Sequence, residues 1–94
     1  MNERYFGIIQ GFIIHWKLSR ATATLISTAM LAVARHRDNI DRAKAHGILM
    51  AYNAAGLIDE NAHQEGHRLL DGLMAAATEH EALDAIYNYF SECE

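Results

Sequence analysis

The stretch YFGIIQGFIIHW at residues 5–16 decides the fold class. Its large apolar residues recur at intervals of three and four, a spacing that places them on one face of an α-helix: Tyr5, Ile8, Ile9, Phe12, Ile13 and Trp16. A β-strand is the competing interpretation because these residues are β-branched and aromatic. Strand alternation would, however, place two glycines and a histidine among the isoleucines of one face. We therefore predict a helix.

Start and stop signals for further helices follow at short intervals along the chain. The predicted N-caps are Ser19, then Asp38 or Asn39, then Asp59, and finally Thr78 with Glu81 as a capping box. The helix before Gly56 is predicted to end there, because glycine readily adopts the left-handed conformation of a helix C-terminus. Since short turns favour antiparallel neighbours, we predict a single all-α domain over residues 1–94, a compact bundle of four to five short helices.

Apolar spacing also predicts which face of each later helix points inward. The predicted inward residues are Leu18, Ala21, Leu25, Ala29, Ala32 and Val33 in the second helix and Ile40, Ala43, Gly47, Ile48, Ala51 and Ala55 in the third. For the last two helices they are Leu69, Leu70, Leu73 and Met74, followed by Leu83, Ile86, Tyr87 and Phe90. In the first helix, Gly7 and Gly11 lie one turn apart, which would let another helix approach closely, within the fold or across a dimer interface. We expect the protein to be a homodimer.

Composition narrows the class of protein. The single cysteine, Cys93, excludes an intramolecular disulfide and suits a reducing compartment. No apolar stretch reaches the roughly 20 residues that a membrane-spanning helix needs. No strained nucleophile turn or phosphate-binding glycine loop is recognisable, so we expect a non-enzymatic protein without a cofactor. We expect it in the cytoplasm, which is the host cytoplasm if a phage encodes it.

Charge is distributed unevenly along the chain. Residues 1–46 contain seven basic and three acidic residues, a formal charge of +4, whereas residues 47–94 contain one basic and nine acidic residues, a formal charge of −8. Two oppositely charged surfaces on one small domain favour association with a partner or with a second copy.

The acidic half suggests one kind of partner. We predict that an acidic patch docks on the basic surface of a protein that handles nucleic acid, with the patch formed by Asp59, Glu79, Glu81 and Asp84. A solvated, solubilising surface is the alternative interpretation.

The basic cluster Arg35, Arg37, Arg42 and Lys44 suggests instead a regulator that contacts nucleic-acid phosphates. We do not expect direct nucleic-acid binding, because the helix after Gly56 is acidic where a recognition helix would be basic.

A metal-binding helical protein is the third possibility. His63 and His67 are four residues apart, a spacing that can place both imidazoles on one ion. A third ligand would have to come from elsewhere, and Glu60 or His36 are conceivable. The competing interpretation is a pair of histidines at the solvent edge of a buried stripe.

The segment AYNAAGLID at residues 51–59, continuing to Leu69 and Leu70, is similar to the helical hairpin of short phage and mobile-element accessory proteins. The chain resembles helical anti-CRISPR proteins in size, acidity and lack of catalytic motifs. The resemblance implies an inhibitor-type protein binder. It covers about a quarter of the chain, and no functional residue carries over from it.

Overall fold

The computed structural model describes residues 3–92, which form five α-helices and no strand. The helices are α1 (Glu3–His15), α2 (Arg20–His36), α3 (Asn39–Ala54), α4 (Glu60–Ala75) and α5 (Glu79–Glu92). The prediction of an all-α bundle is therefore confirmed. Cys93 lies outside the described residues. No helix within residues 3–92 combines the length and the apolar character that crossing a membrane would require.

Side-chain caps begin the helices at the predicted positions. Ser19, Asp38 and Asp59 each accept a hydrogen bond from the backbone N–H three residues further on, at 3.2, 2.8 and 2.8 Å. Thr78 does the same for α5 at 3.1 Å, while Glu81 accepts a bond from the N–H just before Thr78, also at 3.1 Å. These bonds satisfy donors that a helix start otherwise leaves unpaired.

The turn after α3 contains the predicted glycine stop. Gly56 has φ +77°, in the left-handed region. Its N–H donates to the carbonyl of Asn53 at 3.1 Å, and the N–H of Leu57 donates to that of Tyr52 at 2.9 Å. These two bonds define a Schellman motif. Leu57 itself is exposed, and the following Ile58 is the residue that enters the core.

The core surrounds α2, which packs against each of the other four helices. Its largest fully buried side chains come from every helix: Ile8, Phe12, Ile26, Met30, Val33, Leu49, Leu70, Leu73 and Ile86. The predicted inward faces of α4 and α5 are confirmed in the main, although Met74 is half-buried and Tyr87 is 42% exposed.

The glycines of α1 face α5 of the same chain. A Cβ at Gly11 would lie 2.4 Å from Cγ of Phe90, and one at Gly7 would lie 3.5 Å from a ring carbon of Tyr87. The close helix crossing predicted from these glycines therefore occurs within the fold. Gly11 is buried by its own chain and is not available to a second copy.

The predicted inward face of α2 is correct only in part. Leu18 and Val33 are buried as predicted and Ala29 and Ala32 are half-buried, whereas Ala21 is exposed and Leu25 is 54% exposed. Ile26 and Met30, which the spacing did not predict, point into the core. The helix is apolar on two faces, so the spacing of its apolar residues fits either one. What decides between them is the size of the core-facing side chains, which bury more area than the alanines do.

The predicted face of α3 is wrong. Ile40 is 68% exposed, Ile48 is half-buried, and the buried residues are Ala45 and Leu49. The other predicted members are exposed: Ala43, Gly47, Ala51 and Ala55. Because alanine and glycine contribute little burial, the large side chains of Leu49, Ile48 and Tyr52, which lie in the core or against it, determine how the helix is rotated.

Candidate functional site

The outward face of α2 carries an apolar seam on an otherwise solvated surface. Residues 21–34 contain no charged residue and no histidine, although the helix is exposed on one side from Ala21 to Thr28 and half-buried there at Ala32. On that side Ala21, Leu25, Thr28 and Ala32 recur at intervals of four, three and four residues. We call these four residues the outward seam. This heptad-like spacing is typical of a helix that packs along another helix.

Threonines do not make the outward face polar. The hydroxyl of Thr24 donates to the carbonyl of Arg20 at 2.7 Å, and the hydroxyl of Thr28 donates to that of Thr24 at 2.7 Å. Both hydroxyl donors are therefore satisfied inside the helix.

A groove lies on each side of the seam. The first, of about 320 Å³, separates α2 from α1 and α5 and is lined by Tyr5, Leu31 and Leu83 among others. The second, of about 310 Å³, separates α2 from α3 and includes Leu25 and Ile48. Both grooves reach Thr28 and Ala32. The seam is therefore a ridge between two largely apolar depressions, a shape that suits interdigitating side chains.

Asp59 lies apart from the other three residues of the predicted acidic patch, which all fall within residues 79–84 of α5. Asp59 caps α4 and lines a depression with Trp16 and Tyr89, which lies near the C-terminal end of α5. Glu79 stands at the opposite end of that helix, 3.9 Å from Arg35. Ten residues of α-helix separate Glu79 from Tyr89, a distance of about 15 Å.

The other two acidic residues also have partners within the chain. Asp84 forms an ion pair with Arg4 and lies 3.4 Å from His80. Glu81 accepts the backbone hydrogen bond that begins α5. All four acidic candidates thus cap a helix or pair with a neighbouring helix.

Three of the four cations in the predicted basic cluster also have partners within the chain. The guanidinium of Arg37 donates to the carbonyl of Ala34 at 2.6 Å, and that of Arg42 lies 3.5 Å from Asp71 of α4. Arg35 pairs with Glu79, while Lys44 lines the groove between α2 and α3. The oppositely charged halves of the sequence therefore meet inside one molecule, at the contacts of α1 and α2 with α5 and of α3 with α4.

The fold brings a third histidine to the predicted pair. Nε2 of His63 lies 2.8 Å from Nε2 of His67, so one nitrogen donates to the other. His46 of α3 joins them, with its ring centre 4.4 Å from that of His67. We call these three residues the histidine cluster. His46 could not be found by spacing, because the contact joins two helices, whereas His36 pairs with Asp41 elsewhere.

The surroundings of His67 favour its neutral imidazole form. Burial lowers the pKa of His67 below its usual 6.5, and the neighbouring His46 and His63 lower it further. Asp71 acts in the opposite direction. A neutral imidazole has a free nitrogen lone pair, which is the form that binds a metal ion.

Another group of potential metal ligands lies at the turn between α2 and α3. Within residues 3–92, His36, Asp38 and Asp41 are the one set of three whose donor atoms all lie within 4.8 Å of one another. Asp38 already caps α3 through the N–H of Asp41, and Asp41 lies 2.6 Å from Nδ1 of His36. Capping and ion pairing account for this arrangement.

Comparison of the chain with protein-family models, curated proteins and solved structures finds no match. Function is therefore inferred from the residues themselves.

Proposed function

We propose that the protein is a non-enzymatic binding module that associates with a second copy of itself through the outward face of α2. The observation that carries the proposal is the outward seam, Ala21, Leu25, Thr28 and Ala32, on a helix with no charge across residues 21–34. An exposed helix face in a small globular protein ordinarily carries charged residues. A helix that is apolar on two opposite faces is suited to having both faces covered.

The size of the face suits a weak homodimer. The 17 residues of α2 correspond to a helix about 25 Å long. A partner helix and the two flanking grooves would cover a strip about 20 Å wide, or about 500 Å² on each copy, which is near the lower limit of specific interfaces. We therefore expect association in the micromolar range.

Opposed helix dipoles favour an antiparallel arrangement of the two α2 helices. Arg20 lies at one end of the face, and the grooves at the other end are lined by Arg35 and Lys44 as well as by Glu79 and Asp41. With the helices antiparallel, the N-terminus of each helix lies beside the C-terminus of the other. A parallel arrangement would instead place each Arg20 beside its counterpart, which is unfavourable.

Sedimentation equilibrium tests this proposal. We expect the wild type to pass from monomer to dimer as its concentration rises through the micromolar range, and Leu25→Glu to remain monomeric. Ile40→Glu is the matched control, because it adds the same charge at an exposed apolar residue outside the seam. A wild type that is monomeric at several hundred micromolar, or an Ile40→Glu variant impaired as much as Leu25→Glu, contradicts the proposal.

Docking of the acidic half on a basic host protein, as the anti-CRISPR resemblance implies, stays a prediction. The geometry sharpens its test, because Asp59 lies apart from Glu79 and Asp84. Once a basic partner has been captured from nuclease-treated bacterial lysate, Glu79→Lys with Asp84→Lys should abolish its binding, whereas Asp59→Asn should retain it. If the wild type, the Glu79→Lys/Asp84→Lys variant and Asp59→Asn all bind the partner equally well, the prediction is contradicted. Retention of nucleic acid in untreated lysate alone, with steep salt dependence, would favour the regulator instead.

A further inference from the structure

The two histidines of α4 are already close to the geometry of a metal site. Their Nε2 atoms are 2.8 Å apart. Two nitrogens bound to tetrahedral zinc at about 2.0–2.1 Å are about 3.3 Å apart. Opening the pair by about half an ångström would therefore seat an ion between His63 and His67, in place of the proton that they now share.

The other ring nitrogen of His63 gives a second, independent indication. Nδ1 of His63 is buried and has no hydrogen-bond partner among residues 3–92. The nearest carboxylate oxygen, of Glu60, is 3.6 Å away. A metal-ligating histidine ordinarily donates its second N–H to such a carboxylate, which leaves the opposite nitrogen free for the ion. Glu60 is placed to accept the Nδ1–H of His63 in this manner.

The third histidine comes from the neighbouring helix. The ring of His46 is tilted by 58° from that of His67, with the ring centres 4.4 Å apart. Its side chain is half-buried on α3, which packs against α4. The ring nitrogens of the three histidines do not all lie within 4.8 Å of one another in this arrangement, so binding of one ion by all three requires the His46 side chain to rotate toward the pair. The ion would then join α3 to α4.

We infer that His46, His63 and His67 form a binding site for one divalent transition-metal ion of the zinc type, with solvent at the remaining position. Imidazole ligands suit zinc, copper and nickel better than magnesium or calcium. The charged groups around the cluster are Glu60, Asp71 and Arg42, and Arg42 is paired with Asp71. The site lies on α3 and α4, so this inference does not depend on the proposed association through α2.

Calorimetric titration of the full chain with Zn²⁺, after removal of any purification tag, tests the inference. We expect one equivalent to bind and the affinity to fall at least about tenfold in His67→Ala and in His46→Ala. His36→Ala is the matched control, because it removes a histidine from the exposed turn before α3. The affinity should also fall as the pH falls, since protons compete with the ion for imidazole.

A second readout avoids reliance on variants that could be poorly folded. In the wild type, Zn²⁺ at about 100 times its Kd should raise Tm by roughly 10 °C. Co²⁺ in its place should show the visible absorption of tetrahedral nitrogen ligation. Absence of stoichiometric binding, or loss of binding in His36→Ala with retention in His67→Ala, would overturn the inference. In that case the contact between His63 and His67 is a hydrogen bond that has no role in metal binding.

Discussion

Replacement of Gly11 by alanine tests the packing of α1 against α5. The added Cβ would lie 2.4, 2.7 and 2.8 Å from three ring atoms of Phe90. Ordinary carbon contacts are about 3.5–4.0 Å, so the ring would have to move by about 1 Å. Phe90 is itself buried, and the ring of Phe12 lies edge-on against it with centres 4.6 Å apart. Phe12 therefore blocks retreat in its own direction, and the ring can otherwise move only into the depression of about 190 Å³ that Gly11 and Phe90 both line.

The expected magnitude follows from two opposing effects. Overpacking of a buried site costs about 1–3 kcal/mol, and three close contacts on an aromatic ring place Gly11→Ala in the upper part of that range. The better helix propensity of alanine returns about 1 kcal/mol. We expect a net loss of about 1–2 kcal/mol in the free energy of unfolding and, for a domain of this size, a Tm lower by about 4–12 °C.

Gly72→Ala is the matched control for this substitution. Gly72 also lies inside a helix, but a Cβ there would meet no heavy atom within 4 Å. The same chemical change should therefore stabilise the protein by about 0.5–1 kcal/mol. Urea denaturation followed by circular dichroism measures both variants. Equal shifts in the same direction would refute the close packing of Phe90 on Gly11.

Three further predictions concern a cap, an ion pair and a histidine. Asp59→Ala removes the α4 N-cap and should lower the free energy of unfolding by about 1 kcal/mol; an unchanged urea midpoint would contradict the cap. A double-mutant cycle on Arg42 and Asp71 should give a coupling of only about 0.2–1 kcal/mol, because both side chains are exposed; coupling above 2 kcal/mol would show a buried pair. The lowered pKa of His67 means that the unfolded chain binds its proton more readily, so stability should fall as the pH drops below about 6.5. In chelator-treated protein, His67→Gln should flatten this slope, and an unaltered slope would contradict the assignment.

Helix limits could be predicted from the sequence because they depend on local chemistry. Ser19, Asp59 and Thr78 act on backbone groups three residues away, and Gly56 adopts a conformation that few other residues tolerate. Which face of a helix turns inward depends on the neighbouring helices. For α2, with apolar residues on both sides, this dependence left the predicted face correct only in part.

In the candidate sites, too, contacts within one helix were predictable and contacts between helices were not. The pairing of His63 with His67 is local to one helix and was predictable, whereas His46 reaches them only because α3 packs on α4. The segregation of charge along the chain pointed to external partners. The structure shows that part of it is used internally, in ion pairs such as that of Arg42 with Asp71.

Disulfide cross-linking tests the association through α2 most directly. Thr28 lies at the midpoint of α2 (Arg20–His36), so in an antiparallel pair Thr28 of each copy faces its counterpart. In a background with Cys93→Ser, Thr28→Cys should form a disulfide-linked dimer under mild oxidation, because the two Cα atoms can come within about 7 Å. Ala21→Cys, on the same seam, should not, since its counterparts would be about 20 Å apart along the helix axis. Failure of Thr28→Cys to cross-link, or equal cross-linking of both variants, would contradict the account.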